Sequence, residues 1–245
     1  PFVLSHGWGM SSRVWVDVIE QLLRAGHEVL AVDHRACGQS DRDFDDMSIG
    51  ALAGDIVDIA RARKLRPAIV NGWSLGGAVA VEAAHRLGKD AAGLILTCAA
   101  SPRYVQAADF PYGGVREDVL GMQDAILADR AGFFKGLSAG VCAKDVGQPA
   151  IDWMWSIFMD AGPQAIKAML ALADLDQRSI LAGLDIPVLS IIGSEDGVVP
   201  PQIGEQAAAC AQHGKLARFE GCGHAPFIED GPGYIKTLLE FAQDV

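Results

Sequence analysis

The segment Gly72-Trp73-Ser74-Leu75-Gly76 decides the fold of this chain. It lies between an apolar run at 68–70, which is typical of a short buried strand, and a stretch of small residues at 77–87, which is typical of a helix. In that context Gly-x-Ser-x-Gly predicts a sharp strand-to-helix turn that exposes the hydroxyl of Ser74. Such a serine is a candidate nucleophile only if the chain also supplies a base, an acid that orients the base, and an oxyanion site.

Short apolar runs and helical patterns alternate on both sides of this turn. The runs that predict buried parallel strands are 2–4, 29–32, 68–70, 94–96, 188–192 and 216–219. The helical patterns between them are 12–24, 48–63 and 78–87, and Ser48 can cap the second. This alternation predicts an α/β protein with a doubly wound, mostly parallel sheet.

The alternation breaks between positions 102 and 185, where helical patterns such as 119–128 and 164–174 occur without a convincing strand. The stretch is rich in aromatic residues: Tyr104, Phe110, Tyr112, Phe133, Phe134, Trp153, Trp155 and Phe158. One interpretation is a helical subdomain that packs its own core. The other is a lid over the carboxyl edge of the sheet, where ligands bind in such folds. We expect a core formed by 1–101 and 186–245 and a helical lid at 102–185.

Five motifs give the whole chain a resemblance to the α/β-hydrolase superfamily. They are His6-Gly7-Trp8-Gly9, the stretch 33–41, the serine motif at 72–77, the stretch 193–200, and 221–227 with the sequence Gly-Cys-Gly-His-Ala-Pro-Phe. Within the superfamily the chain resembles the esterases that cleave pimeloyl-acyl-carrier-protein methyl ester in biotin synthesis. The resemblance implies an α/β-hydrolase fold, a serine esterase mechanism, and no metal or organic cofactor.

The resemblance also indicates the partners of Ser74. Asp196 stands in a Gly-x-x-Asp turn after the strand at 188–192, and this spacing favours it over the adjacent Glu195. The segment after the strand at 94–97 has no carboxylate that could replace it. His224 follows the last predicted strand, in a glycine- and proline-flanked loop. The chain order Ser74, Asp196, His224 is the order expected for this type of nucleophile turn.

The oxyanion site is expected from two backbone N–H groups, those of Leu75 after the nucleophile and of Trp8 after the first strand. The rings of Trp8 and Trp73 are candidate walls of the substrate pocket. From the lid we expect further substrate contacts, with Trp153 and Trp155 on different helix faces so that at most one of them lines the pocket. The lid candidates are Phe110, Tyr112, Trp153 and Trp155.

Composition excludes several other classes of protein. The formal net charge is −11, which argues against nucleic acid as a partner. No apolar run reaches the roughly 18 residues that span a bilayer, and no signal peptide is visible. Five cysteines without close pairing are typical of a reduced, cytoplasmic protein. The chain begins at Pro1 rather than at methionine, so a missing N-terminal segment stays an open alternative.

Two other site types fit part of the sequence. The stretch 7–12 after the first strand approaches a dinucleotide-binding loop, but Ser12 occupies the position of its third glycine. His27-Glu28 begins a zinc motif, but Ala31 stands where the second histidine is needed. The proposed nucleophile, acid and base explain more residues than either of these.

We therefore expect a serine carboxylesterase for a small to medium acyl ester. A lactonase, a C–C bond hydrolase and a cofactor-free perhydrolase remain alternatives, because this fold carries many chemistries. A ligand-binding protein without catalysis is a further alternative. The resemblance also implies a substrate carried on an acyl carrier protein. Residues 102–185 hold seven Lys/Arg against eleven Asp/Glu, which argues against docking of an acidic carrier.

Overall fold

The computed structural model describes residues 1–245 and contains one six-stranded sheet of order β2-β1-β3-β4-β5-β6. All five neighbouring pairs are parallel. The strands are β1 (Phe2–Ser5), β2 (Val29–Val32), β3 (Ala68–Trp73), β4 (Ala91–Thr97), β5 (Val188–Gly193) and β6 (Gly214–Phe219). The predicted α/β class is confirmed, and this sheet is parallel throughout rather than mostly parallel.

Helices cover both faces of the sheet, which is why β1, β3 and β5 are buried along their whole length. The first predicted helix is a 3₁₀ turn, Ser12–Trp15, followed by α1 (Val16–Arg24). Next come α2 (Ile49–Ala62) and α3 (Leu75–Leu87), and the hydroxyl of Ser48 caps α2 by accepting the N–H of Ala51 at 3.2 Å. The remaining helices of the core are α9 (Pro201–Cys210), α10 (Pro226–Glu229) and α11 (Gly231–Gln243).

The segment between β4 and β5 contributes helices and no strand to the sheet. Its helices are α4 (Arg116–Ala128), α5 (Arg130–Gly140), α6 (Gln148–Asp160), α7 (Pro163–Leu170) and α8 (Arg178–Gly183). Buried side chains of this segment, among them Phe134 and Phe158, belong to the same apolar cluster as those of the sheet. The segment therefore packs on the rest of the chain instead of forming a separate core.

The parallel arrangement brings the carboxyl ends of all six strands to one edge of the sheet. The loops that leave this edge carry Trp8 after β1, Ser74 after β3, Asp196 after β5 and His224 after β6. Residues far apart in sequence thus meet at the edge where ligands bind in such sheets. None of the helices is both long enough and apolar enough to cross a membrane. All five cysteines are unpaired.

Candidate active site

The turn that carries Ser74 has a strained backbone. Ser74 has φ 58° and ψ −124°, and it is partly exposed although both of its neighbours are buried. A Cβ on Gly72 would lie 2.1 Å from the carbonyl oxygen of Gly76, and one on Gly76 would lie 2.3 Å from that of His6. Only glycine fits at these two positions. The N–H of Ser74 donates to the carbonyl of Thr97 at 3.1 Å, which ties the turn to the end of β4.

His224 and Asp196 form a buried hydrogen-bonded pair. Nδ1 of His224 lies 2.8 Å from Oδ2 of Asp196, and the two side chains are 3% and 1% exposed. Oδ1 of Asp196 accepts the N–H groups of Val198 and Val199 at 2.8 and 2.9 Å. Burial alone would raise the pKa of Asp196, but His224 and the two N–H groups outweigh it and lower that pKa below its ordinary value. Asp196 is therefore an ionised acceptor, which holds the proton of His224 on Nδ1.

Glu195, the competing carboxylate, points away from this pair. It is exposed, and its hydrogen-bonding partner is the adjacent Ser194, at 3.4 Å. The two neighbouring carboxylates thus have different environments because the turn after β5 directs one inward and the other to solvent.

The backbone of His224 is held from both sides. Its N–H donates to the carbonyl of Val141 at 2.7 Å, and its carbonyl accepts the indole N–H of Trp73 at 2.7 Å. The preceding Gly223 packs so closely that its carbonyl oxygen would lie 1.9 Å from a Cβ on Gly193. The imidazole is therefore oriented by the ends of β3 and β5 and by the segment after α5.

Two peptide N–H groups near Ser74 are free to bind a ligand. Leu75 is the first residue of α3, and the first N–H groups of a helix have no acceptor within the helix. Trp8 lies in the turn after β1, where its N–H donates to no acceptor in the chain. The indole N–H of Trp8 donates to the carbonyl of Ala165 in α7 at 2.9 Å, so this side chain is fixed to the helical segment.

His6 supports the turn that presents Trp8. Nε2 of His6 accepts the N–H of His34 at 3.0 Å, so its ring proton lies on Nδ1 and is donated to the carbonyl of Gly7 at 2.7 Å. Burial lowers the pKa of His6 to about 4, although the Gly7 carbonyl and the charge of Asp33 oppose the shift. Burial also lowers the pKa of His34 well below its ordinary value. His6 is thus a neutral group that supports the backbone turn at Trp8, whose N–H is a candidate oxyanion donor.

A cavity of about 70 Å³ opens at Ser74 and His224. Twelve of its fifteen lining residues are hydrophobic, so it is suited to an apolar group. Trp8 and Trp73 line it, as expected from the sequence. The helical segment contributes several further wall residues, namely Tyr104, Met122, Phe133, Leu137, Val141, Phe158, Met169 and Leu172.

None of the four aromatic residues of 102–185 that we expected to contact substrate lines this cavity. Phe110 and Tyr112 pack edge to face against each other, with ring centroids 5.2 Å apart. Trp153 lines a separate groove of about 980 Å³ beside α1 and α11, which contains neither Ser74 nor His224. Trp155 lies against Lys135 and donates its indole N–H to the carbonyl of Ala131. Their positions do not support the prediction that these side chains bind substrate.

The spacing of Phe133, Leu137 and Val141 was the signal that could have identified the wall. These residues are four apart, so along α5 and its continuation they form one stripe, and all three line the cavity. The prediction from aromatic content alone selected Trp153 and Trp155 of α6 as substrate contacts instead.

The thiol of Cys98, a side chain of a metal-binding type, also lies close to this pair. Donor atoms of Cys98, Asp196 and His224 lie within 4.8 Å of one another. Burial raises the pKa of the Cys98 thiol well above its ordinary value, so the thiol is protonated and is a poor ligand. Nδ1 of His224 and Oδ2 of Asp196 already bind each other. The arrangement fits an acid–base pair better than a metal site.

Comparisons with known proteins agree with this geometry. The α/β-hydrolase fold family matches residues 1–231. The chain is 30% identical to the pimeloyl-[acyl-carrier protein] methyl ester esterase of Vibrio cholerae, over 98% of this chain and 93% of that protein. It is 27% identical to a bifunctional esterase/perhydrolase of Acinetobacter calcoaceticus, over 96% of this chain and 89% of that protein.

A solved esterase structure has the same fold as this chain. An esterase from Exiguobacterium antarcticum superposes with a TM-score of 0.96 and 27% identity, covering 99% of this chain and 91% of that one. The fold and the relatives together place this enzyme among the carboxylic-ester hydrolases, and the chain belongs to the α/β-hydrolase family.

Proposed function

We propose that this protein is a serine carboxylesterase in which Ser74 is the nucleophile, His224 the general base and Asp196 the orienting acid. The observation that carries the proposal is the buried 2.8 Å bond between His224 and Asp196, beside a cavity that both His224 and Ser74 line. A histidine whose Nδ1–H is held by a carboxylate has Nε2 available as a base. The strained turn presents the hydroxyl of Ser74 as the group on which that base acts.

The reaction proceeds in two half-reactions, acylation and then deacylation of Ser74. Nε2 of His224 takes the proton of Ser74 while Oγ attacks the ester carbonyl, and the N–H groups of Trp8 and Leu75 stabilise the resulting oxyanion. His224 then gives the proton to the departing alcohol, and an acyl-enzyme remains on Ser74. Water attacks the acyl-enzyme with His224 again as base, which releases the acid and restores the serine. Asp196 stays ionised throughout and stabilises the imidazolium.

The size and the apolar walls of the cavity support an ester with a small, uncharged acyl group as the preferred substrate. Its volume of about 70 Å³ is well below that of pockets for drug-sized ligands. A charged acyl terminus placed against these apolar walls would lose its hydration without gaining a partner. Medium-length chains enter only when side chains of the helical segment, such as Phe133 and Leu137, move. We propose on this basis that 102–185 acts as a lid that sets acyl length.

The charges of the lid support a free ester rather than a carrier-bound one. Four of its seven cations are paired with lid carboxylates: Arg103 with Asp176, Arg116 with Asp174, Lys135 with Asp152, and Arg178 with both Asp109 and Asp176. The three others are Arg130, Lys144 and Lys167, against eleven Asp/Glu in the same segment. An acidic carrier needs unpaired positive charge for complementarity. The relative from Vibrio cholerae acts on a carrier-bound ester, but the lid of the present chain does not favour that use.

Perhydrolysis is a second candidate activity, favoured by the relative from Acinetobacter calcoaceticus. It uses the same acyl-enzyme, which hydrogen peroxide attacks in place of water to give a peracid and free Ser74. Hydrolysis of lactones or of C–C bonds would use the same three residues, so only a substrate screen separates these reactions.

The test is a screen of p-nitrophenyl esters of increasing acyl length, with lactones, a carrier-linked methyl ester and hydrogen peroxide as further arms. We expect the highest kcat/KM on short acyl esters. Ser74→Ala should lower kcat by about 10⁴–10⁶ while the thermal unfolding temperature stays near that of the wild type. Near-normal turnover by folded Ser74→Ala would contradict the proposed mechanism.

A further inference from the structure

Glu229, the last residue of α10, makes an unusual set of hydrogen bonds beside His224. Its half-buried carboxylate accepts four backbone N–H groups and contacts neither Ser74 nor the cavity. The donors are the N–H groups of Ala143, Lys144, Gly223 and Ala225, at 2.8, 3.0, 2.9 and 3.3 Å. Two of these donors flank His224, and the other two lie in the loop after α5.

The two loops joined by this carboxylate are in direct backbone contact. A Cβ on Gly223 would lie 2.6 Å from the nitrogen of Ala143, so the loops approach as closely as they do only because residue 223 is glycine. The N–H of His224 donates to the carbonyl of Val141, and the side chain of Val141 lines the cavity. These backbone contacts thus fix the position of His224 relative to Val141, which lines the cavity.

A carboxylate is the appropriate group for this position. It has two oxygens with about four lone-pair sites and no donor, which matches four converging N–H groups. An amide of the same shape offers one acceptor oxygen, and its NH₂ group would face donors. Bonds from N–H groups to an ionised acceptor are also about twice as strong as neutral ones.

We propose that Glu229 is a positioning residue, which places the imidazole of His224 by fixing the loop on both sides of it against the lid. The inference rests on the proposed function, because it concerns the base of the proposed reaction. Loss of the carboxylate lets the loop at 223–225 shift relative to Asp196 and Ser74. A shift of about 1 Å at a catalytic group can cost about 10²-fold in rate.

The experiment compares Glu229→Ala and Glu229→Gln with the matched control Asp230→Asn. Asp230 is the next residue, and its carboxylate accepts a backbone N–H of α11, that of Gly233 at 3.2 Å, and no N–H of either loop. We expect kcat to fall about 10- to 100-fold in Glu229→Ala, with a smaller loss in Glu229→Gln and a KM changed less than kcat. Asp230→Asn should keep kcat within about twofold of the wild type and should change stability little, because asparagine caps a helix about as well as aspartate.

A second readout does not depend on activity. The proton between His224 Nδ1 and Asp196 Oδ2 gives a downfield ¹H resonance, assigned by its loss in His224→Gln. We expect this resonance to persist in the wild type and in Asp230→Asn, and to broaden or disappear in Glu229→Ala. If Glu229→Ala fails to fold, Glu229→Gln carries both measurements.

The outcomes separate this proposal from the proposed function. An active wild type whose Glu229 variants lose only thermal stability, with kcat and the downfield proton unchanged, would overturn the positioning role alone. A wild type without hydrolase activity would overturn the proposed function. In that case the resonance still decides whether Glu229 places His224.

Discussion

The carboxyl edge of the sheet and the helical segment at 102–185 are held in different ways. At the edge, backbone hydrogen bonds and close glycine contacts fix Ser74, Asp196 and His224. In the helical segment, apolar side chains pack on the core, and many of the polar contacts are ion pairs at the surface. The groups proposed for chemistry thus depend on main-chain geometry, whereas the groups proposed for selectivity depend on side-chain packing.

This difference has an energetic consequence. Exposed ion pairs such as Arg116 with Asp174 contribute little to stability, because solvent screens the two charges. Each buried backbone group at the edge would cost about 1–3 kcal/mol if left without its partner. We therefore expect the walls of the cavity to adapt to substrates while the pair of His224 and Asp196 stays in place.

The largest effect should come from breaking that pair. Asp196→Asn is expected to lower kcat by about 10⁴, because an amide at this position favours the wrong tautomer of His224. The neighbouring Glu195→Gln is the matched control and should leave kcat within a few-fold, since its side chain is exposed. Steady-state kinetics on one short ester compares them. A larger loss in the Glu195 variant would reverse the assignment of the acid.

A second effect is predicted for the stability of the edge in acid. The folded-state pKa of His6 is about 4 against an ordinary value of 6.5, so between these pH values the unfolded chain binds the proton more readily. The free energy of unfolding should therefore fall as pH drops from 6.5 towards 4, by about 3 kcal/mol from His6, and His34 should act in the same direction.

Urea denaturation from pH 7 to pH 4 measures this loss. His6→Asn should flatten the pH profile, because it removes a buried imidazole that the unfolded chain protonates more readily. Parallel profiles for the wild type and His6→Asn would show that the buried imidazole does not link protonation to unfolding.

The smallest effect concerns acyl length and tests the lid. Phe133→Ala and Leu137→Ala remove wall atoms of the cavity, so kcat/KM should rise for longer acyl groups relative to short ones. Each additional methylene that becomes buried contributes about 0.8 kcal/mol, or roughly fourfold. Trp153→Ala and Trp155→Ala should leave the profile unchanged, because neither ring lines the cavity. The reverse pattern would show that Trp153 and Trp155 of α6, and not Phe133 and Leu137, set the preferred acyl length.

The same contrast explains what could be predicted from the sequence. The glycines around Ser74 and the cap at Ser48 are local features whose geometry a short motif specifies. The structure has the strained turn at Ser74, the cap at Ser48 and a hydrogen bond between His224 and Asp196. The walls of the cavity depend on how α5 and α7 pack on the core. The four-residue spacing of Phe133, Leu137 and Val141 marks a stripe on α5, but it does not specify the surface against which that stripe packs. For that reason Phe110 and Trp153 were expected at the cavity, and the positions of Phe133 and Leu137 were not.

The most direct test of the account is covalent labelling with a fluorophosphonate, followed by mass spectrometry of the peptides. The account predicts a single adduct, on Ser74, that forms rapidly in the wild type, much more slowly in Asp196→Asn and not at all in Ser74→Ala. An adduct on another residue, or a wild type that does not react, would contradict the claim that Ser74 is a nucleophile activated by His224 and Asp196.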